Sequence, residues 1–377
     1  MKTIYLKNIK TTLWCSILFT LAFSSCDSVL EEKPLNQIGT EFFYRNETDA
    51  LAALTAVYAD LKVDNGYYRQ IFLSNLFAAS DEGTPNAGKH GDFRRGTIAS
   101  TDANLPPVWI AIYVGIRDAN NVIARVPEIT NMDEQLKSRI LGEAKFLRAF
   151  MYFTLVKTYG GVPIVDHLPN PSSEEDRVMQ LTRKSAAEVY AFIEADLNDA
   201  IAALPSKATY AASEKGRASK GAAYALLAKV NLYQEKWQKV IDNCNLVTGY
   251  SIVSDYASMF KLEGENDAES IFEIQGTGST PAKGISGYSA TQGARGAGGW
   301  GWGFNTPSQS LVNAYESGDV RKNATIIFAG TTLYDGRVVP LTVENPRYNY
   351  KAYQSSIAES WDGNKGETAK NLRILKY

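Results

Sequence analysis

The sequence of 377 residues predicts a mainly α fold of helix pairs, with long irregular loops and minor β-hairpin elements. Apolar residues recur every three or four positions over most of the first 250 residues, as on one face of a helix. Capping residues precede these segments, and Gly or Pro follows them. In contrast, 10 of the 29 glycines lie between Gly276 and Gly303, which is too dense for a regular element.

The N-terminus has the features of an export signal. Lys2, Lys7 and Lys10 form a basic region, and residues 13–23 form an apolar stretch that the small residues Ser24 and Ser25 follow. We predict a signal peptide over residues 1–25. The apolar stretch is shorter than the roughly 20 residues that a membrane-spanning helix needs.

Cys26 stands where a bacterial lipoprotein would be cleaved and acylated, so we predict lipidation of Cys26 and a lipid-anchored tether over residues 26–40. The match is imperfect, because Phe23 stands where a strong lipobox has Leu. The alternative is ordinary cleavage near Ala22 and Ser24, which would release a free protein. Cys244 has no partner for a disulfide, and its helical pattern predicts a small buried side chain.

Helices are predicted in order along the chain. Asn46 with Asp49 opens the first helix, and Pro106-Pro107 opens a second that Pro127 ends. Asn131 and Glu134 resemble a capping box for a long helix through Lys157.

Ser185 and Glu188 form a clear capping box for a helix that ends at Pro205. Two further helices are predicted over 218–234 and 236–247. The second starts near Trp237, and small Ala residues lie at its partner's close-packing positions. This pair is typical of a tetratricopeptide unit, although the repeat is not regular at 34 residues.

The C-terminal part has weaker patterns. Residues 325–343 alternate with Gly-rich turns and predict a β-hairpin. Leu372, Ile374 and Leu375 begin an apolar pattern that reaches Tyr377 without a cap, as if the chain were cut inside an element.

Composition and motifs exclude several functions. The net charge is -2, and no Lys/Arg cluster is long enough to predict nucleic-acid binding. No sequence motif indicates a catalytic nucleophile, a metal site or a cofactor, so we predict no catalytic, metal-binding or cofactor-binding residues. A glycosidase needs only two carboxylates, but Glu174, Glu175 and Asp176 more simply predict a solvated loop before a helix.

Aromatic residues in the Gly-rich loop over 276–306 are the first candidates for ligand binding: Trp300, Trp302, Tyr288 and Phe304. They are predicted to lie outside any helix. Their rings could stack on the C–H faces of sugars, or the loop could fold back and bury them. Aromatic residues at helical spacing are predicted to be core: Phe146, Phe150, Phe153, Trp109 and Trp237.

A second loop, residues 80–105, carries polar candidates for hydrogen bonds to a ligand: Asp81, His90, Arg94 and Arg95. The alternative is that this loop is simply solvated.

Several motifs together resemble the SusD/RagB family, surface lipoproteins for nutrient uptake in the Bacteroidota. The most specific runs from Gly142 to Phe150 (GEAKFLRAF), continues in Tyr152-Phe153, and ends in Tyr159 to Pro163 (YGGVP). Further similarity lies around Cys26, Ser80-Asp81, residues 109–120, 193–205, 216–233 and 319–321, and in the closing residues 372–377.

The resemblance implies a SusD-like helical domain over residues 41–377 that is not an enzyme. It implies a surface protein of the outer membrane that captures an oligosaccharide or another nutrient for a SusC-type TonB-dependent transporter. It also implies that Arg373 to Tyr377 begin a large helix whose C-terminal continuation is missing. Two alternatives are a protein-docking scaffold without a small ligand and a glycoside hydrolase.

Overall fold

The computed structural model describes residues 43–62, 83–84, 99–103, 105–276, 285–286, 288–359, 367–368 and 370–377. It divides into two compact units, 1–44 and 45–377. In the first unit, the described rings of Phe43 and Tyr44 meet edge to face with centroids 5.3 Å apart. The predicted signal peptide and Cys26 lie outside the described residues. Within the described residues, no helix combines the length and the apolar character that crossing a membrane requires.

The second unit is mainly helical, which confirms the predicted fold class. Its α-helices are α1 Glu47–Asp60, α2 Leu105–Arg125, α3 Glu134–Tyr159, α4 Glu174–Leu181, α5 Ala186–Ala203, α6 Lys220–Leu232, α7 Trp237–Asn245, α8 Tyr288–Gln292 and α9 Gln309–Ala314. Its strands are β1 Gly83–Thr84, β2 Ser270–Ile274, β3 Ile285–Ser286, β4 Thr306–Pro307, β5 Ile326–Phe328, β6 Arg347–Asn349, β7 Glu367–Thr368 and β8 Leu372–Lys376.

Side chains cap the free backbone N–H groups at the start of several helices. Asn46 caps α1, and Ser185 with Glu188 forms the predicted capping box of α5. The long helix α3 is capped by Asp133, whose carboxylate accepts from the amide of Leu136 at 2.8 Å, so the prediction of a cap at Asn131 was wrong. A carboxylate two residues later satisfies the same donors equally well.

The three carboxylates at 174–176 form the first turn of α4 rather than a solvated loop, which corrects the prediction. Ser173 caps this helix, and its hydroxyl accepts from the amide of Asp176. Negative charge in the first turn is favourable because the helix dipole is positive at that end.

Helix α3 lies at the centre of the helical layer, between α2 and α5. Phe146, Phe150 and Phe153 are buried as predicted. The rings of Phe146 and Phe150 pack edge to face on Phe272 of β2, with centroids 5.0 and 6.1 Å apart. Helix α5 packs on α6 and α6 packs on α7, so consecutive helices are neighbours, as in tetratricopeptide pairs.

A buried ion pair joins α3 to α5. The guanidinium of Arg148 donates to both carboxylate oxygens of Asp196, at 2.8 and 2.7 Å. A third bond from the same group reaches Asn120 of α2 at 2.6 Å. Because Arg148 and Asp196 are 5% and 3% exposed, their charges satisfy each other in the interior and fix three helices in register.

Helix α7 differs from its prediction. Trp237 is 59% exposed and Cys244 is also exposed, although both were predicted to be buried. Periodicity shows which side of a helix is apolar, but it does not show whether another element covers that side.

The final residues form strand β8 and not the start of a helix. It pairs antiparallel with β2, with Glu273 opposite Arg373 and Ile274 opposite Leu372. The prediction was wrong because the five-residue apolar pattern is too short to separate the two periods. The predicted hairpin over 325–343 is found in part: Thr332 forms an antiparallel bridge with Val338, whereas β5 pairs with β6, at 347–349, beyond the predicted segment.

Candidate functional site

The main chain of the Gly-rich segment is fixed on helix α8. The amide of Trp302 donates to the carbonyl of Ala290, and the amide of Phe304 donates to that of Thr291, each at 2.8 Å. Tyr288 is the first residue of α8, so the prediction that it lies outside any helix was wrong. These backbone hydrogen bonds hold the main chain from Trp302 to Phe304 against α8.

The glycines allow this close approach of two backbones. A Cβ atom on Gly301 would lie 2.4 Å from the carbonyl oxygen of Ala290 and 2.5 Å from the Cα of Gly293. A Cβ on Gly293 would lie 2.7 Å from the ring of Trp300. These glycines therefore allow two backbone segments to pack closely, whereas the sequence predicted only a loop without regular structure.

Trp302 presents an aromatic ring to solvent. It is 51% exposed, and its ring meets that of Phe304 edge to face, with centroids 6.3 Å apart. An exposed ring on a fixed main chain offers a face for the C–H groups of a sugar at little entropic cost. Of the predicted ligand residues, Trp302 has the geometry that fits stacking best.

Trp300 points the other way. Its ring packs edge to face on Tyr353 at 5.3 Å, and the guanidinium of Arg337 lies 5.1 Å from the ring centroid. It packs against a buried cluster of eight residues: Ala294, Ile327, Leu333, Val339, Val343, Tyr348, Tyr350 and Tyr353. The sequence left two alternatives for the aromatic residues of this loop, exposed rings or rings buried by the loop itself. Both occur, since the ring of Trp300 packs inward and the ring of Trp302 is exposed.

Three amide side chains support the loop from below. The side-chain oxygen of Gln292 accepts from Asn305 at 2.8 Å and from Asn349 at 2.7 Å. Gln292 is 2% exposed, and Asn305 adopts the left-handed conformation with φ 51°. Asn tolerates this conformation better than most residues. The bonds connect α8, the aromatic loop and β6.

Arg347 adds a further link at the same place. Its Nε donates to the carbonyl of Pro307 in β4 at 2.9 Å, and its Nη1 donates to Gln309 of α9 at 2.7 Å. The sequence analysis missed Arg347, Gln292 and Asn349. The one available signal was Asn305, because Asn among glycines indicates a turn with positive φ.

The second predicted loop meets the aromatic loop through its backbone. Strand β1 pairs antiparallel with β4, with Gly83 opposite Pro307 and Thr84 opposite Thr306. Strand β4 begins two residues after Phe304, so its partner β1 lies beside the end of the aromatic loop. Asp81, His90, Arg94 and Arg95 lie outside the described residues, so their contacts stay a prediction.

The carboxylates at the start of α4 do not have the properties of a general acid. Arg177 binds Glu174 and lowers the pKa of that carboxyl. The amide of Asn170 donates to Asp176 at 2.7 Å and lowers its pKa in turn. A glycosidase acid needs a raised pKa. Across the described ranges, no group of three or more His, Cys, Asp or Glu side chains could hold a metal ion.

A buried carboxyl lies under the end of α1. Glu143 is fully buried, accepts from the hydroxyl of Tyr58 at 2.7 Å and pairs with Arg217 at 3.1 Å. Burial raises the pKa of Glu143, and Arg217 opposes this. A cavity of about 240 Å³ beside Tyr58 and Arg217 has no lining residue from the aromatic loop. Tyr58, Glu143 and Arg217 thus join α1, α3 and the segment before α6.

Comparison with known families shows which family the chain belongs to. A model of SusD-like proteins, described as starch-binding and associating with the outer membrane, matches residues 29–232. The match covers more than half of the 377 residues. The chain belongs to the SusD-like family.

Curated relatives agree. The chain is 26% identical to SusD-like protein P2 of Formosa agariphila over 393 residues, covering 96% of this chain and 74% of the relative. It is 28% identical to SusD-like protein P25 of the same organism, covering 66% and 49%. It is 24% identical to the starch-binding protein SusD of Bacteroides thetaiotaomicron, covering 73% and 51%. The chain thus spans about half the length of two of these SusD-like relatives.

Solved structures share the fold. A laminarin-binding SusD-like protein is 27% identical with a TM-score of 0.74, over 88% of this chain and 78% of that one. A SusD-like protein from Bacteroides fragilis is 26% identical with a TM-score of 0.69, over 89% and 73%. These matches confirm the tetratricopeptide-like SusD fold predicted for the helical part.

Proposed function

We propose that this SusD-like protein binds an oligosaccharide at the cell surface and delivers it to a SusC-type TonB-dependent transporter of the outer membrane. The exposed ring of Trp302 on its hydrogen-bonded main chain is the observation that carries the proposal. The family description as starch-binding and the laminarin-binding structural relative support a glycan as the ligand.

In the proposed site, Trp302 stacks on a sugar ring while Phe304 supports it from the side. Trp300 and Tyr288 hold the loop and α8 in place. Because β1 pairs with β4, the loop that contains Asp81, His90, Arg94 and Arg95 starts beside the platform, and its side chains are proposed to bind the sugar hydroxyls.

The protein acts by binding and not by catalysis, since SusD-like proteins are a non-catalytic glycan-binding family. We propose that lipidated Cys26 anchors the chain, with residues 26–40 as the tether. The family's association with the outer membrane supports this location.

The test compares two exposed tryptophans. Binding of laminarin and starch is measured by affinity electrophoresis for wild type, Trp302→Ala and the matched control Trp237→Ala, whose ring is 59% exposed on α7. We expect Trp302→Ala to weaken binding about tenfold or more, since burying one large apolar side chain contributes about 1.5–3 kcal/mol and about 1.4 kcal/mol is a factor of ten in affinity. Equal loss in both variants, or none in Trp302→Ala, would reject the platform.

A protein-docking scaffold without a small ligand is the alternative, and the surface of α7 favours it. Trp237, Ile241 and Leu246 are 59%, 54% and 50% exposed there, more apolar surface than a solvated helix usually shows. Co-purification with a β-barrel transporter and no affinity for any glycan on an array would support this alternative.

A further inference from the structure

Two lysines and a tyrosine meet where α3 and α6 end. Lys229 and Tyr233 are four residues apart, so they share one face of α6 and its C-terminal extension. From α3, the Nζ of Lys157 lies 5.7 Å from the ring centroid of Tyr233 and 4.5 Å from that of Phe153. The two rings pack edge to face at 5.2 Å. Lys157, Phe153 and Tyr233 therefore lie together, and Lys229 is one helical turn before Tyr233 on the same face; these four residues are called the lysine cluster below.

The lysine cluster has no counter-ion in the described part of the chain. Two other inward-facing cations have carboxylate partners, since Arg148 pairs with Asp196 and Arg217 pairs with Glu143. Burial, as the larger cause, and the charge of Lys229, as the smaller one, together lower the pKa of Lys157 to about 8. Burial also lowers the pKa of Lys229. The two ammonium groups repel each other at a place with little water to screen them.

The helix dipole does not compensate the positive charge of Lys157. A lysine in the last turn is stabilised when its ammonium group reaches the terminal carbonyls. Side chains on helices point towards the N-terminus, and Lys157 follows this rule because its Nζ lies over Phe153, four residues earlier. Its charge is directed away from the carbonyls at the end of α3.

Tyr233 gives the cluster an open side. The residue is 52% exposed, so one part of its ring contacts Phe153 while another faces solvent. An exposed aromatic ring beside two uncompensated ammonium groups is complementary to a sugar that carries an oxyanion: the ring stacks on the apolar face, and the amines bind the charge.

We propose that the lysine cluster is a second saccharide site, selective for sugars that carry an oxyanion, for which a sulfate ester is the probe. Lys157 and Lys229 bind the sulfate oxygens, and Tyr233 stacks on the ring. This site uses none of the residues of the proposed Trp302 platform, so it goes beyond the proposed function and is tested independently of it.

The test is calorimetric titration of the full chain with glucose 6-sulfate, glucose and inorganic sulfate at pH 7. We expect glucose 6-sulfate to bind more tightly than either of the other two. The double variant Lys157→Met/Lys229→Met should bind it at least about tenfold more weakly, because two charge-assisted bonds are lost. Tyr233→Leu should abolish the preference for the sugar sulfate over inorganic sulfate.

Matched controls separate this site from general charge effects. Lys220→Met removes an exposed lysine from the first turn of α6 and should leave binding unchanged. Lys157→Arg/Lys229→Arg keeps the charges and should retain binding within about threefold, which tests the site even if the Met variant misfolds.

Unchanged affinity in the Met variant, or no binding of glucose 6-sulfate to wild type, would overturn the proposal. Loss of binding in Trp302→Ala would also overturn it, because the sulfated sugar would then occupy the aromatic loop. Equal binding of glucose 6-sulfate in wild type and in Tyr233→Leu would overturn the saccharide site and leave only a general anion site.

Discussion

Asn305 donates a hydrogen bond of 2.8 Å to the side chain of Gln292, and this bond determines where Trp302 is presented. Asn305 lies three residues after Trp302, in the left-handed conformation that turns the chain into β4. Gln292 is buried, so the bond competes with little water and holds the turn on α8. The geometry of the exposed ring thus depends on a side chain that does not itself contact solvent.

Gln292→Leu keeps the volume of the side chain but removes the acceptor of two hydrogen bonds. We expect it to lower the free energy of unfolding by about 1–3 kcal/mol, since Asn305 and Asn349 lose their common acceptor. Urea unfolding measures this loss, and hydrogen exchange of the amides at 302–304 should become faster. Gln238→Leu is the control on exposed α7; an equal loss of stability there would contradict the role given to Gln292.

Arg148→Met should destabilise the protein by about 3–5 kcal/mol, because it leaves the buried carboxylate of Asp196 without its partner. The double variant Arg148→Met/Asp196→Leu should recover part of this loss in thermal unfolding. As a control on the same helix, Lys145→Met removes a more exposed pair with Asp199 and should cost less than about 1 kcal/mol. Similar losses in both single variants would show that burial of the pair is unimportant.

The hydrogen bonds of His167 predict that the stability of the protein depends on pH. Its ring nitrogens lie 2.5 Å from Asp166 and 2.8 Å from Asp176, and these hydrogen bonds raise its pKa above the usual 6.5, with Asp166 the larger cause. A raised pKa stabilises the folded state below pH 6.5, and this contribution disappears as pH rises through the folded value. Wild type should therefore exceed His167→Gln in stability by more at pH 6 than at pH 9, measured by urea unfolding. A constant difference would contradict the protonated pair.

Cys26→Ala should abolish the incorporation of radiolabelled palmitate into the protein expressed in a bacterium of the same phylum. Cys244→Ala is the matched control, because Cys244 is an exposed thiol that could take up label nonspecifically. Label that persists in Cys26→Ala and disappears in Cys244→Ala would reject the lipid anchor.

The sequence predicted the helices well because their signals are local. Ser185 and Glu188 are only three residues apart, and the capping box that their spacing predicts is present at the start of α5. Strand β8 could not be predicted in this way, because its identity depends on β2, about 100 residues earlier. The exposure of Trp237 likewise depends on which element covers α7, which periodicity does not contain.

The candidate site was predictable only in part. Glycines with interleaved aromatic residues identified the loop, yet the opposite orientations of Trp300 and Trp302 result from packing on Tyr353 and from bonds to α8. Gln292 and Asn349 are separated by more than fifty residues and meet only in the folded protein. Their role could not be inferred from spacing, since an isolated Gln or Asn has no distinctive pattern.

The pairing of β2 with β8 also affects how the chain folds during synthesis. At translation rates of about 5–20 residues per second, β2 emerges from the ribosome roughly 5–20 s before β8. During this interval Phe272 can already pack on Phe146 and Phe150, while the edge of β2 that β8 later occupies has no partner strand. During this interval the unpaired edge of β2 can pair with another chain, which is a route to aggregation that the arrival of β8 closes.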